Sequence, residues 1–317
     1  MIEILYGLSD NSRPTQIPGT QIQLMLPATD QTQNTNPMAS KTLSSLGPHG
    51  FHRIHYTEWG DPRNPKVIVC VHGLTRNCRD FDDLAAALAR THRVVCPDMP
   101  GRGFSEWLQY KEDYNTTTYL HDIAVLIGRL NVEQVGWVGT SMGGLIGMHL
   151  AARPGSPIKR MLLNDIGPEI RAEAQNRIVQ YLGGNPVFQN AKNAERYFRT
   201  IHAPFGPLSD EQWKRLTLNS IKPCPDGNYR LHYDPGIAES FKAYRNSASS
   251  LWDVWDNIRC PVHIFRGADS DLLSTQTAVA MLKRGPDSRL TEFPGIGHAP
   301  SLMSKDQIET VVSWFSA

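Results

Sequence analysis

From Phe51 to the C-terminus, apolar runs of strand length alternate with amphipathic segments of helix length. A strand covered on both faces needs a continuous apolar run, and a parallel neighbour needs a crossover long enough to hold a helix. Such runs stand at Val67–Val71, Arg93–Cys96, Gln134–Val138, Lys159–Leu163, Val262–Phe265 and Arg289–Phe293, with an earlier hairpin strand around Arg53–Trp59. Asn115–Leu130 carries Tyr119, Ile123, Leu126, Ile127 and Leu130 at three- and four-residue spacing, with Asn or Thr available as N-cap. Its apolar stripe should therefore face a sheet. The pattern predicts an α/β fold with a doubly wound, mostly parallel sheet.

Two segments depart from this alternation. Between residues 166 and 250 the strand pattern stops, and helical pieces appear between Gly- and Pro-rich breaks such as Gly183-Gly184-Asn185-Pro186 and Pro223-Cys224-Pro225-Asp226-Gly227. Ser209 followed by Gln212 matches a capping box ahead of Trp213, Leu216 and Leu218. This reads as an inserted helical module, dividing a core of residues 51–165 and 251–317. Residues 1–50 read as an N-terminal extension: Thr15–Ser40 is rich in Gln, Thr, Asn and Pro without a sustained period. The extension is either a flexible leader or an arm on the domain, the apolar patch Ile22–Leu26 allowing the second. No repeat of solenoid period is present.

Charge and cysteine usage exclude several partner classes. Lys plus Arg number 32 and Asp plus Glu 31, a net +1, so no global field recommends nucleic acid or an anionic membrane. Cys70, Cys78, Cys96, Cys224 and Cys260 are odd in number and contain no C-x-x-C pair, which suggests neither a disulfide framework nor a zinc site. Cys70 and Cys96 lie in apolar runs and read as small core residues. No stretch reaches the roughly 18 apolar residues of a membrane helix, and the N-terminus lacks a signal-peptide pattern. A cytoplasmic protein is expected.

The chemistry concentrates in Gly139-Thr140-Ser141-Met142-Gly143-Gly144, set directly between the strand Gln134–Val138 and the apolar helix Leu145–Ala152. A serine on so tight a strand-to-helix turn needs small neighbours, which accounts for Gly139 and Gly143, and stands exposed at the carboxyl edge of the sheet. His72-Gly73 closes the strand Val67–Val71 at the same edge. Backbone N–H groups of Leu74 and Met142 are the expected donors for an oxyanion. Serine needs a base. Of the 11 histidines, His298 lies in Phe293-Pro294-Gly295-Ile296-Gly297-His298-Ala299-Pro300, a loop after the last strand that reaches the same edge. His72 reads as a structural loop histidine, and His149, two helical turns beyond Ser141, as a helix or core residue.

These landmarks, from about Phe51 to the end, resemble the α/β-hydrolase superfamily. Asp98-Met99-Pro100-Gly101-Arg102-Gly103-Phe104-Ser105 is similar to that family's D-x-P-G-x-G-x-S loop. The resemblance implies that residues 166–250 form a helical cap over the site. Serine at the nucleophile position disfavours the aspartate-dependent dehalogenase and epoxide-hydrolase branches. The usual family acid follows the penultimate strand as G-x-x-D, yet Gly267-Ala268-Asp269-Ser270-Asp271 puts serine there. A subgroup of bacterial esterases resembling this chain takes its acid from the strand that here ends near Asp165. The expected acid is Asp165, with Asp271 and then Asp269 as alternatives.

The expectation is thus a serine hydrolase cleaving a carboxylic ester or thioester through an acyl-enzyme, with Ser141, His298 and Asp165 as its triad. The alternatives are a carbon–carbon bond hydrolase of a vinylogous diketone and a non-catalytic ligand receptor on the same fold. No metal or organic cofactor is implied, and oligomeric state is not legible. Arg76 and Arg79 follow the His-Gly loop, where arginines are ordinarily solvated; meeting a substrate anion is their other use. Trp213, Tyr197, Phe198, His202 and Phe205 either line an acyl pocket or pack the cap.

Overall fold

Eight strands form one sheet in the order β1-β2-β4-β3-β5-β6-β10-β11. The structure, a computed structural model, describes residues 38–247 and 250–317. β1 (Ala39–Gly47) and β2 (Gly50–Trp59) make an antiparallel hairpin in which Gly47 pairs with Gly50. β2 runs antiparallel to β4 (Arg93–Pro97). From there β3 (Val67–Val71), β5 (Val135–Thr140), β6 (Ile158–Asn164), β10 (Val262–Gly267) and β11 (Ser288–Phe293) continue in parallel.

Helices cover both faces because each central strand is apolar on both. Val67, Val69 and Val71 of β3 join the core under α2 (Thr116–Leu130) and α3 (Met142–Ala151). The intervening Ile68 and Cys70 join the core under α1 (Asp82–Leu88) and α10 (Lys305–Ser316). Asn115 caps α2 by accepting from the Thr118 amide, and Asn131 ends it in the left-handed region. Cys70 and Cys96 are fully buried, and all five cysteines are free thiols.

The inserted module contains α4 (Ala172–Tyr181), α5 (Ala191–Ile201), α6 (Asp210–Ser220) and α7 (Ile237–Ser247). Both halves of the Ser209/Gln212 capping box form. α8 (Trp252–Asp256) and α9 (Thr275–Met281) return the chain to the core.

Two boundaries differ from the sequence reading. The division at residue 50 cuts through a hairpin, since residues 39–47 are a strand of the main sheet. β1 is an edge strand whose Ser40, Lys41, Thr42, Ser44 and Ser45 supply no apolar run, and strand pattern fades where one edge and one face meet water. The module is not purely helical either: β7 (Val187–Phe188), β8 (Ile221–Pro223) and β9 (Tyr229–Leu231) form a three-stranded antiparallel sheet. Strands of two or three residues are too short to show a period. The expectation for residues 15–37, with the Ile22–Leu26 patch, falls outside the described residues. No helix among the described residues is long and apolar enough to cross a membrane.

Candidate active site

Ser141 sits between β5 and α3 with φ 50° and ψ −113°, a backbone conformation that side chains rarely adopt. The turn exists because its glycines admit close approach. A Cβ on Gly139 would meet the Gly143 carbonyl carbon at 2.5 Å, and one on Gly143 would meet the Val71 carbonyl oxygen at 2.0 Å. The turn is thereby pressed against the end of β3, and a Cβ on Gly73 would lie 3.8 Å from that of Ser141. Among the described residues, neither the Leu74 nor the Met142 amide has a backbone acceptor.

The loop after β11 brings His298 to this turn. Ser141 Oγ lies 2.9 Å from His298 Nε2, and His298 Nδ1 lies 2.7 Å from Asp165 Oδ2. The pairing assigns the imidazole proton to Nδ1, donating to the carboxylate, and leaves Nε2 to accept from the serine hydroxyl. Asp165 follows directly on β6 with φ 57° and is 0% exposed. It accepts from the Gly267 amide (2.9 Å) and from Ser270 Oγ (2.5 Å), so both oxygens of this buried carboxyl group are hydrogen-bonded. Ser270 stands where the family's usual acid was sought. Its hydroxyl contact was missed, although a serine in an acid's place was a visible signal.

The other candidates lie elsewhere. Asp271 pairs with Arg177 at 2.6 Å and its side chain is 44% exposed. Burial pushes its carboxyl up, but the Arg177 hydrogen bond and charge hold it below the usual range. Asp269 is exposed. His149 lies on α3, half-buried. The solvated reading of Arg76 is corrected: it is buried, pairs with Asp80, and donates from Nη1 to Ser220 Oγ (2.9 Å) in the module. Arg79 pairs with Asp82. Phe198, His202 and Phe205 stack in series; none of the five module aromatics lines the cavity described below.

His72 is buried, with Nδ1–H donating to the Gly73 carbonyl (2.7 Å) and Nε2 accepting from the Met99 amide (3.0 Å). Burial depresses its pKa to about 4. Between that value and about 6.5 the unfolded chain holds the proton and the folded chain does not, so stability falls as pH drops through this window. Denaturant unfolding at pH 7 and pH 4.5 should differ by about 2–3 kcal/mol from this histidine alone; equal stabilities would rule out its neutral buried state.

A cavity of about 670 Å³ opens beside Ser141, within the range of small-molecule sites. Its wall is largely apolar, with Leu74, Met142, Leu145 and Ile146 from the core and Ile178 and Ile237 from the module; Tyr114 and Tyr119 also line it. Among the described residues, the side chains closest to a metal-binding set are His55, Cys78 and Asp98, whose donor atoms lie within 4.8 Å of one another. Asp98 is already engaged by His55 Nδ1 (2.7 Å) and by the Cys78 and Phe104 amides, and burial pushes the Cys78 thiol well up. That cluster ties the Asp98–Ser105 loop to β2 and needs no ion.

The parallel sheet, the strained serine turn and the inserted module define an α/β hydrolase. The pattern of the alpha/beta hydrolase fold family matches residues 66–302, and the chain belongs to that family. A 3-hydroxybutyrate-oligomer hydrolase of Cupriavidus necator is 46% identical over 282 residues, spanning 86% of this chain and 96% of that protein. A Rickettsia typhi protein of known crystal structure superposes with a TM-score of 0.82 at 34% identity, covering 88% of this chain and 99% of that one. An alpha/beta hydrolase from Novosphingobium aromaticivorans gives 0.79 at 34% identity, covering 90% and 99%.

Proposed function

We propose that this protein is a serine ester hydrolase that cleaves short oligoesters of 3-hydroxybutyrate through an acyl-enzyme. The observation that carries the reading is the hydrogen-bonded series Ser141–His298–Asp165 at the wall of an apolar cavity. The substrate class rests on the 46% identity to the Cupriavidus necator oligomer hydrolase across nearly its whole length.

In this mechanism Ser141 Oγ attacks the ester carbonyl as His298 Nε2 takes its proton, and Asp165 stabilises the imidazolium through Nδ1. The Leu74 and Met142 amides hold the oxyanion, each such donor being worth about 3 kcal/mol of barrier. On collapse, His298 returns the proton to the leaving oxygen, which in an oligoester is the 3-hydroxyl of the next unit. Water then attacks the acyl-enzyme by the same route, freeing Ser141 and a 3-hydroxy acid. An ester bond is broken, one water is consumed, and no redox partner is required.

The test is a pH-stat assay on the linear dimer and trimer of 3-hydroxybutyrate, beside simple esters, a thioester and a ring-cleavage diketone. Turnover of the dimer above about 1 per second, in the ordinary enzymatic range, is the expected result. Fast diketone cleavage with negligible ester turnover would replace the reading with carbon–carbon hydrolysis, and no turnover on any of them would end it.

A further inference from the structure

Arg102 is 0% exposed, and among the described residues no carboxylate lies within 4.0 Å of its guanidinium. A buried cation is costly unless its donors are satisfied, and those of Arg102 are met by neutral groups. Nε donates to the Leu74 carbonyl (2.9 Å), Nη1 to the Pro100 carbonyl (2.7 Å) and to Tyr119 Oη (2.8 Å), and Nη2 faces Met142 Sδ at 3.6 Å. The guanidinium thus touches both residues that bear the candidate oxyanion amides, and it fixes the hydroxyl of Tyr119, a residue of the cavity lining.

That hydroxyl is left with one side of its bonding open. A tyrosine O–H both accepts and donates. Tyr114, which lines the same cavity, is engaged in both senses: it accepts from the Leu108 amide and donates to Asp234 (2.7 Å). Ser240, also in the lining, donates to the Lys111 carbonyl, and the Asn115 amide donates to the Glu112 carbonyl. Tyr119 accepts from Arg102 and has no acceptor for its own hydrogen among the described residues. Arg102 occupies the lone-pair side of the oxygen, so that hydrogen is turned away from the guanidinium, and the adjoining cavity is where an acceptor can be placed.

We propose that Tyr119, polarised by Arg102, is the hydrogen-bond donor that recognises the β-oxygen of the acyl chain, making the cavity selective for 3-oxygenated acyl esters over plain ones. The β-oxygen is the one feature that separates a 3-hydroxybutyryl group from a butyryl group, and in a wall dominated by Leu, Ile and Met a single oriented donor suffices to tell them apart. The inference rests on the ester-hydrolase reading above and adds to it the side chain that sets acyl preference.

The experiment compares methyl 3-hydroxybutyrate with methyl butyrate, following acid release by pH-stat in the wild type and in Tyr119→Phe. Whatever the variant costs in absolute rate through Arg102, the ratio of the two kcat/KM values isolates the β-oxygen. The wild type should favour the 3-hydroxy ester, and Tyr119→Phe should reduce that preference about 10- to 100-fold, the worth of one buried hydrogen bond. A ratio within twofold of the wild type would overturn the inference while leaving the hydrolase reading intact; wild-type inactivity on both esters and on the linear dimer would overturn both. Independently of any variant, 3-hydroxybutyramide should inhibit the wild type at least fivefold more tightly than butyramide. Equal inhibition would show that Tyr119 meets only water.

Discussion

Ser141→Ala is expected to lower kcat by about five to six orders of magnitude and to leave the folded protein intact. The size follows from the cooperative way such a site works. In the proposed mechanism, His298 and Asp165 have nothing to activate once the Ser141 hydroxyl is gone, and only oxyanion stabilisation and binding remain. Stability should change by less than about 1 kcal/mol. Ser141 Oγ makes no cap contact to α3; its contact is with His298. Alanine bears the same Cβ at the strained φ of 50°. Labelling with a fluorophosphonate probe beside a thermal melt separates the two consequences: the wild type should label and the variant should not, at closely similar Tm. A variant that labels as strongly as the wild type would move the nucleophile elsewhere and undo the proposed mechanism.

What the chain discloses by itself depends on how far apart the interacting residues lie. β3 was legible because Val67–Val71 is an unbroken apolar run in the middle of the sheet, where both faces are covered. β1, polar and at the edge, carried no such mark, and it becomes a strand only because β2 pairs with it over Ala39 to Gly47. The serine turn was legible because the contact that demands Gly139 involves Gly143, four residues on. Arg76 was misread because its partner Ser220 lies 144 residues away, on the inserted module. The aspartates posed the same difficulty in sharper form. Asp165, Asp269 and Asp271 all lie near strand ends, and their separation depends on the φ of Asp165, on Arg177 reaching Asp271 from α4, and on the His298 loop. None of these is a property of a local segment. Arg102 and Tyr119 were visible in a motif and in a helix stripe, but their joint use needed Leu74 and Met142 beside them in space.

Asp165→Asn should reduce kcat about 10⁴-fold, and Asp271→Asn by no more than about threefold. The difference follows from what each carboxylate touches. Asp165, fully buried, accepts from His298 Nδ1 through Oδ2 at 2.7 Å. An amide there either presents its NH₂ to Nδ1, forcing the wrong tautomer, or keeps the geometry without the charge that steadies an imidazolium. Asp271 is bound to Arg177 near solvent, where an exposed pair contributes little. Ser270→Ala should fall between them. It removes the 2.5 Å bond to the same Oδ2 but leaves the Gly267 amide on Oδ1, so the carboxylate persists with less restraint. A loss of about tenfold in kcat with KM changed by less than twofold is expected, because the acid acts on the imidazolium formed in the transition state and not on bound substrate. Steady-state kinetics of the three variants on one ester are sufficient to decide. If Asp271→Asn proved the severe variant and Asp165→Asn the mild one, His298 would have to turn away from Oδ2 during turnover, and Ser270 would lose its part in holding the acid.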